Sequence, residues 1–257
     1  MRAMILAAGL GTRLRPLTEH LPKALVPLCG TPLLGIIIHK LVQAGVDQII
    51  INVHHLADMI VDYVQRHKSF GIRIEFSREP TILGTGGGLQ KASWFFAGDE
   101  PFVVHNVDIL SWEDLRAMVS FHRRRRALAT LAVQDRRTSR PLAFDGRGEL
   151  CGRGGHSLAK EPNGPVRWFG YNGVQVASPE LLSLLTEQPP FSLIDAEVRL
   201  CASHSIVAYD IGGTPWWDIG RKESLHEAEE ALRTERVQPW WPLLGCREGG
   251  PITRRET

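Results

Sequence analysis

The chain has 257 residues, 43% of them hydrophobic and 23% charged, which suits one large α/β domain with at most a small appendage. Thirty basic side chains against 28 acidic ones leave a net charge of only +2, so no global field marks a nucleic-acid or membrane-surface binder. No stretch approaches the ~20 apolar residues of a membrane span, and the apolar run from Ala3 to Ala8 stops at Gly9, too soon for a signal segment; the expectation is a cytoplasmic protein.

That first run, Met4-Ile5-Leu6-Ala7-Ala8, reads as a strand buried on both faces of a parallel sheet. It empties into Gly9-Leu10-Gly11-Thr12-Arg13-Leu14, where backbone N–H groups can face a phosphate. The loop is not a dinucleotide fingerprint, since no third glycine stands near Leu14 and nothing acidic occurs between Glu19 and Asp47. Nor is it a Walker A loop. Arg15-Pro16-Leu17-Thr18 and Pro22-Lys23 follow, so Arg13 and Lys23 flank a loop stiffened by prolines, a sound arrangement for a polyanion such as triphosphate.

Thr31 as cap and Pro32 in the first turn open a helix that Gly45 stops. A strand is expected over residues 48–53, a helix through Leu56, Met59, Ile60, Tyr63 and Val64, a strand over 72–76 and another over 101–105. Leu83 to Gly88 reads as a glycine-rich segment ahead of a helix over 89–96, and Ser111 with Asp114 as a capping box. This alternation predicts a Rossmann-like, doubly wound, mostly parallel sheet, with ligands at the carboxyl ends of its strands. Residues 127–176 break into short strands around glycines, an antiparallel excursion that would form a lid or substrate subregion. Helical spacing returns over 179–185, 193–200 and 221–232. Residues 1–235 are expected to form the catalytic domain and 236–257, with Trp240 and Trp241, a docked or partly disordered tail.

His122-Arg123-Arg124-Arg125-Arg126 ends a helix, where cations complement the dipole, and reads as a solvated face rather than an RNA site. The histidines lack H-x-x-x-H spacing, so His54, His55 and His105 read as packing or polar contacts. Cys29, Cys151, Cys201 and Cys246 show neither C-x-x-C nor zinc spacing and are expected to be reduced, incidental thiols.

Taken together, the Gly9 to Thr18 motif with Pro22-Lys23, Gly30-Thr31-Pro32, Leu83-Gly84-Thr85-Gly86-Gly87-Gly88, Asn106-Val107-Asp108, Gly170-Tyr171-Asn172-Gly173 and Trp217-Asp218-Ile219-Gly220 resemble the sugar-1-phosphate nucleotidylyltransferases. Within that family they resemble its short single-domain members, which act on N-acetylmuramate 1-phosphate or mannose 1-phosphate. The resemblance implies that Ala8, Gly9, Gly11, Thr12 and Arg13 embrace a nucleoside triphosphate, with Glu79, Gly84, Thr85 and Gly86 along its base and ribose. It implies that Lys23, Arg13 and Asp108 are catalytic, that Asp108 and Asp218 hold Mg²⁺, and that Asn106, Asn172 and Gly173 meet the sugar. Val107 departs from the small residue the family often has before this aspartate, and Lys160-Glu161-Pro162 inverts its Glu-Lys-Pro order. The implied reaction condenses a nucleoside triphosphate with a sugar 1-phosphate, UTP and N-acetylmuramate 1-phosphate first, GTP and mannose 1-phosphate second. A regulatory homologue that binds nucleotide without turnover is the non-enzymatic alternative.

Overall fold

In the computed structural model, which describes residues 1–241, β1 (Arg2–Leu6) leads through the glycine loop to a small hairpin, β2 (Pro27–Leu28) and β3 (Thr31–Pro32). Then follow α1 (Leu33–Gln43), β4 (Gln48–Val53), α2 (Ala57–Arg66), β5 (Arg73–Arg78), α3 (Gly84–Lys91), β6 (Phe102–Asn106), β7 (Ile109–Ser111) and α4 (Leu115–Arg125). The second half holds β8 (Ala129–Gln134), β9 (Leu142–Phe144), β10 (Leu150–Arg153), β11 (Arg167–Ala177), α5 (Glu180–Leu184), α6 (Leu193–Leu200), β12 (Ile206–Asp210), β13 (Trp216–Asp218) and α7 (Lys222–Arg233). The main sheet runs β10-β9-β11-β6-β1-β4-β5, with β8 on β11 and β12 on β8. Strands β6, β1, β4 and β5 are parallel, whereas β11 is antiparallel to β6, β8 and β9. The expected mixed sheet with an antiparallel excursion is therefore present.

Period-two alternation explains why β1 and β4 read as continuous apolar runs. Ala3, Ile5, Ile49 and Ile51 face one core, packed on Leu34, Ile37 and Leu41 of α1; Met4 and Ile50 face the other, with Leu89, Phe96 and Phe102. Each such buried isoleucine contributes on the order of 1.5–3 kcal/mol.

Several local expectations shift. Helix α1 starts with Pro32, not Thr31, at its cap position. Asp114 itself caps α4, its Oδ1 accepting from the N–H groups of Arg116 (2.9 Å) and Ala117 (3.0 Å). Ser111 serves elsewhere, its carbonyl accepting from the buried Lys40 Nζ at 2.7 Å beside the Lys40–Glu113 pair at 2.6 Å. The glycines 84 and 86–88 lie inside α3 rather than before it. Cys29 is disulfide-bonded, against the expectation of reduced thiols, while Cys151 and Cys201 are free and buried; Cys246 lies outside the described residues. His122 is buried, bonding Thr130 Oγ1 and Ser178 Oγ, while the arginines after it close α4. Residues Trp240 and Trp241 pack beside Trp112, and Gln43 Nε2 donates to the Trp240 carbonyl; the remainder of the tail, 242–257, lies outside the described residues. Among the described residues no helix is long and apolar enough to cross a membrane.

A buried polar chain ties α6 to β11: Tyr171 Oη donates to Gln175 Oε1 (2.9 Å), and Gln175 Nε2 donates to Glu197 Oε1 (2.6 Å). Burial pushes the Glu197 carboxyl up to about 8 from an ordinary 4.5. The folded chain then keeps a proton that the unfolded chain releases, so this group's stability contribution is full below 4.5 and is lost as pH rises through about 8. Glu197→Gln should lose less stability than the wild type between about pH 5 and 8 in thermal unfolding. Identical pH slopes would show that Glu197 already ionises in the fold.

Candidate active site

The carboxyl ends of the parallel strands meet at one level: Leu6 is paired in register with Asn52 of β4 and with Asn106 of β6. Just beyond them opens a cleft of about 220 Å³ lined by Ala8, Gly9, Lys23, Glu79, Thr85 and Asp108, together with Gly84 and Asn106. This is where a doubly wound sheet collects ligands. Its rim is braced from below by Asn52, whose Oδ1 accepts from the Ala7 N–H (2.7 Å) and whose Nδ2 donates to Glu79 Oε1 (2.7 Å). The other oxygen of Glu79 accepts from the Leu83 N–H at 3.1 Å. Glu79 thus lines the cleft and also fixes the entry to α3. Asn52→Leu should cost about 1–3 kcal/mol, because it strands a buried carboxylate oxygen and an N–H. Chemical denaturation of the variant measures this, and an unchanged midpoint would remove Asn52 from the frame.

In the glycine loop, Gly11 adopts φ +65°, and a Cβ there would come within 2.9 Å of Thr18 Cγ2 and 3.0 Å of Lys23 Cβ. Only glycine fits that turn. Thr18 Oγ1 donates to the Gly11 carbonyl at 2.7 Å and closes the loop on itself. Among the described residues the N–H groups of Gly9, Leu10 and Gly11 donate to no protein acceptor, which leaves them for an anion. Thr12 and Arg13 are exposed on the same loop. Lys23 is buried, and its Nζ makes a close ion pair with Asp108 Oδ2.

Asp218, 110 positions away in sequence, comes beside Asp108 without itself lining the cleft. Strand β13 pairs antiparallel with β7, setting Asp218 opposite Ile109, and the Ile219 N–H donates to the Asp108 carbonyl at 2.8 Å. Asp218 Oδ2 lies 3.8 Å from Arg13 Nη2, and Gly220 permits this approach, since a Cβ there would meet both groups at 2.6 Å. Asp218 Oδ1 is buried with no hydrogen-bond partner. An orphaned carboxylate oxygen beside the strand that carries a second carboxylate fits a hard cation. Among the described residues no three His, Cys, Asp or Glu side chains cluster to enclose a metal, so such an ion would need water and phosphate oxygens to complete its shell, which is how Mg²⁺ is usually bound.

Asn106 lines the cleft, and Gly173 lies against it, a Cβ there falling 3.0 Å from Asn106 Nδ2. Asn172 is fully buried next door and does not line the cleft; its Oδ1 accepts from Arg136 Nε at 3.2 Å. Gly84 and Gly86 are set by the segment before α6: Gly84 has φ +74° with Phe191 O 2.3 Å from a would-be Cβ, and the Gly86 N–H donates to that carbonyl at 3.0 Å. Thr85 Oγ1 accepts from the Leu193 N–H at 2.9 Å. Lys160 lies 3.5 Å from Glu149 Oε2, in the antiparallel excursion. Asn52 and Arg136 are polar members of this neighbourhood that sequence reasoning passes over, the first as one residue of an apolar strand, the second as part of the charged run Asp135-Arg136-Arg137.

The chain is similar to known proteins. Residues 2–144 match the family model described as nucleotidyl transferase. A UTP–glucose-1-phosphate uridylyltransferase of Synechocystis is 41% identical over 144 residues, 52% of this chain and 37% of that protein. A mannose-1-phosphate guanyltransferase of Yarrowia lipolytica is 29% identical over 88% of this chain and 62% of its own length. An N-acetylmuramate α-1-phosphate uridylyltransferase of Caulobacter vibrioides is 31% identical over 90% of this chain and 96% of its own. The chain thus spans 37% and 62% of the first two relatives and nearly all of the third. A UDP-glucose pyrophosphorylase structure from Acinetobacter baumannii superposes with a TM-score of 0.76 at 21% identity, covering 93% of this chain and 95% of that one, and shares its fold. Because the family match takes in more than half of the chain, including the glycine loop, Lys23, Glu79 and Asp108, the chain belongs to the nucleotidyl transferase family.

Proposed function

We propose that the protein joins a nucleoside triphosphate to a sugar 1-phosphate and releases pyrophosphate, with Mg²⁺ as cofactor. The observation that carries this reading is the convergence on one cleft of the Ala8–Gly9 turn, the Lys23–Asp108 pair and the Gly84–Thr85 helix start. An oxygen of the sugar phosphate attacks the α-phosphorus, the bond from that phosphorus to the β-phosphate bridging oxygen breaks, and pyrophosphate leaves. A phosphomonoester is mostly dianionic above its second pKa of about 6, so no general base is required. What the site must supply is position and positive charge.

The N–H groups of Gly9 and Gly11, with Thr12 and Arg13, are suited to hold the triphosphate, and Lys23 to place its ammonium where charge accumulates. Glu79, Gly84, Thr85 and Gly86 would border base and ribose; Asn106 and Gly173 would form the sugar side, with the buried Asn172 behind them. Asp108 and Asp218 would hold Mg²⁺, which neutralises phosphate charge and aligns the reacting oxygens when bound. UTP with N-acetylmuramate 1-phosphate is the favoured pair, because the relative of that name matches this chain over 96% of its own length. GTP with mannose 1-phosphate is the second reading, supported by the Yarrowia relative. The cytoplasm is the proposed setting. A panel of UTP, GTP, dTTP, CTP and ATP against N-acetylmuramate, mannose and glucose 1-phosphates, with pyrophosphate detected, tests the reading. The highest kcat/KM should fall on the first pair; release with no pair would leave only a nucleotide-binding homologue.

A further inference from the structure

Arg136, just past the end of β8, is built into the fold with unusual care for a side chain in a charged surface run. Its guanidinium carbon lies 3.9 Å from the centroid of the Trp216 ring. Its Nε donates to Asn172 Oδ1 at 3.2 Å and its Nη2 to the Tyr171 carbonyl at 2.6 Å. Strand β11 has glycine where the arginine crosses it, since a Cβ on Gly170 would sit 2.8 Å from Arg136 Cζ. The ring is itself fixed, Trp216 Nε1 donating to the Asn172 carbonyl at 3.0 Å. Among the described residues Nη1 has no acceptor, and no carboxylate lies within ion-pair distance of the group.

Arg136 lines a concavity with Gln134, Asp135 and Asp210 rather than the cleft itself, and the strand geometry relates it to Asp218. Trp216 and Asp218 are alternate residues of β13 and project to the same side, so a guanidinium over the ring lies on the side that carries the Asp218 carboxylate. Burial works against the charge of Arg136 and Asp218 supports it. Asp218 therefore has Arg13 of the glycine loop as one neighbour and Arg136 as another. Of the other cations, Lys23 is engaged by Asp108 and Lys160 by Glu149. Asn172, which holds Arg136, adjoins Gly173 and through it Asn106 at the cleft.

We propose that Arg136 is the residue that binds the phosphate of the sugar 1-phosphate, through charge-assisted hydrogen bonds from its free Nη edge. The assignment rests on the nucleotidyl-transfer reading above. It gives the second substrate, a phosphomonoester dianion, its own cation, distinct from the loop that serves the triphosphate. A planar fork stacked on an aromatic ring is the form of cation best suited to that task.

The test is titration calorimetry of the full chain and of Arg136→Met and Arg136→Lys with N-acetylmuramate, mannose and glucose 1-phosphates, and separately with UTP and GTP. Affinity for the sugar phosphate that binds the wild type should fall about tenfold or more in Arg136→Met and less in Arg136→Lys, with triphosphate affinity changed by less than about twofold. In steady state the KM for sugar phosphate should rise while that for triphosphate holds. Unchanged sugar-phosphate affinity in Arg136→Met would overturn the proposal. So would equal weakening of both ligands, which would make Arg136 a buttress of Asp218, or failure of all three sugar phosphates to bind the wild type. If Arg136→Met does not fold, full sugar-phosphate affinity in Arg136→Lys overturns it equally. A wild type that binds sugar phosphate through Arg136 yet releases no pyrophosphate would support this role and refute nucleotidyl transfer.

Discussion

Lys23→Ala and Arg13→Ala should each lower turnover by about a hundredfold or more, the loss expected when a placed charge partner of the transition state is removed. The two act from different ground. Lys23 is buried at the floor of the cleft with its ammonium paired to Asp108, and even a Cβ on Gly11 would crowd its own Cβ, so its side chain has little room to move. Lys23→Arg should not restore the rate, because a planar fork does not fit where a compact ammonium does. Arg13 is exposed and lies 3.8 Å from Asp218, so Arg13→Ala should leave melting unchanged while turnover falls. Lys23→Ala also leaves Asp108 without its cation, and part of its loss will be structural; the ratio of kcat to melting-temperature change separates the two. Rates near the wild type in both variants would sink the phosphate-loop assignment.

Asp108→Asn and Asp218→Asn are expected to be equally severe, each cutting kcat strongly while the fold survives. Both substitutions keep volume and remove the charge that a hard cation requires. The backbone bond from Ile219 to the Asp108 carbonyl does not depend on either side chain, so the two strands should stay together. The distinguishing readout is metal binding: Mg²⁺ or Mn²⁺ titrated in the presence of triphosphate should bind more weakly to each variant. An active Asp218→Asn protein with unaltered metal binding would reduce Asp218 to a strand-end partner of Arg13.

The parallel half of the sheet was legible because β1 and β4 are buried on both faces, which produces short apolar runs whose length points to strands rather than helices. Helix α3 was not, since Gly84 and the glycines at 86–88 are poor helix formers; their helix is set by Phe191 and Leu193, more than a hundred positions later. The capping box at Ser111 failed for a similar reason: Lys40 claims the serine through tertiary packing. In the cleft, the motif residues Gly9, Lys23, Glu79 and Asp108 could be named from family resemblance, and their order along strand ends follows from the fold class. That Asp218 lies beside Asp108 depended on resemblance alone, because only the return of β13 onto β7 brings it there. Asn52 and Arg136 carried no local signal, since their partners are supplied by other strands.

The central claim is that an oxygen of the sugar phosphate attacks the α-phosphorus of the triphosphate. Reaction of unlabelled triphosphate with sugar 1-phosphate carrying ¹⁸O in its non-bridging positions, read by mass spectrometry, tests it directly. The expected result is label in the nucleotide sugar, including the oxygen between its two phosphorus atoms, and none in pyrophosphate. Label in pyrophosphate, or pyrophosphate formed without a labelled nucleotide sugar, would contradict it.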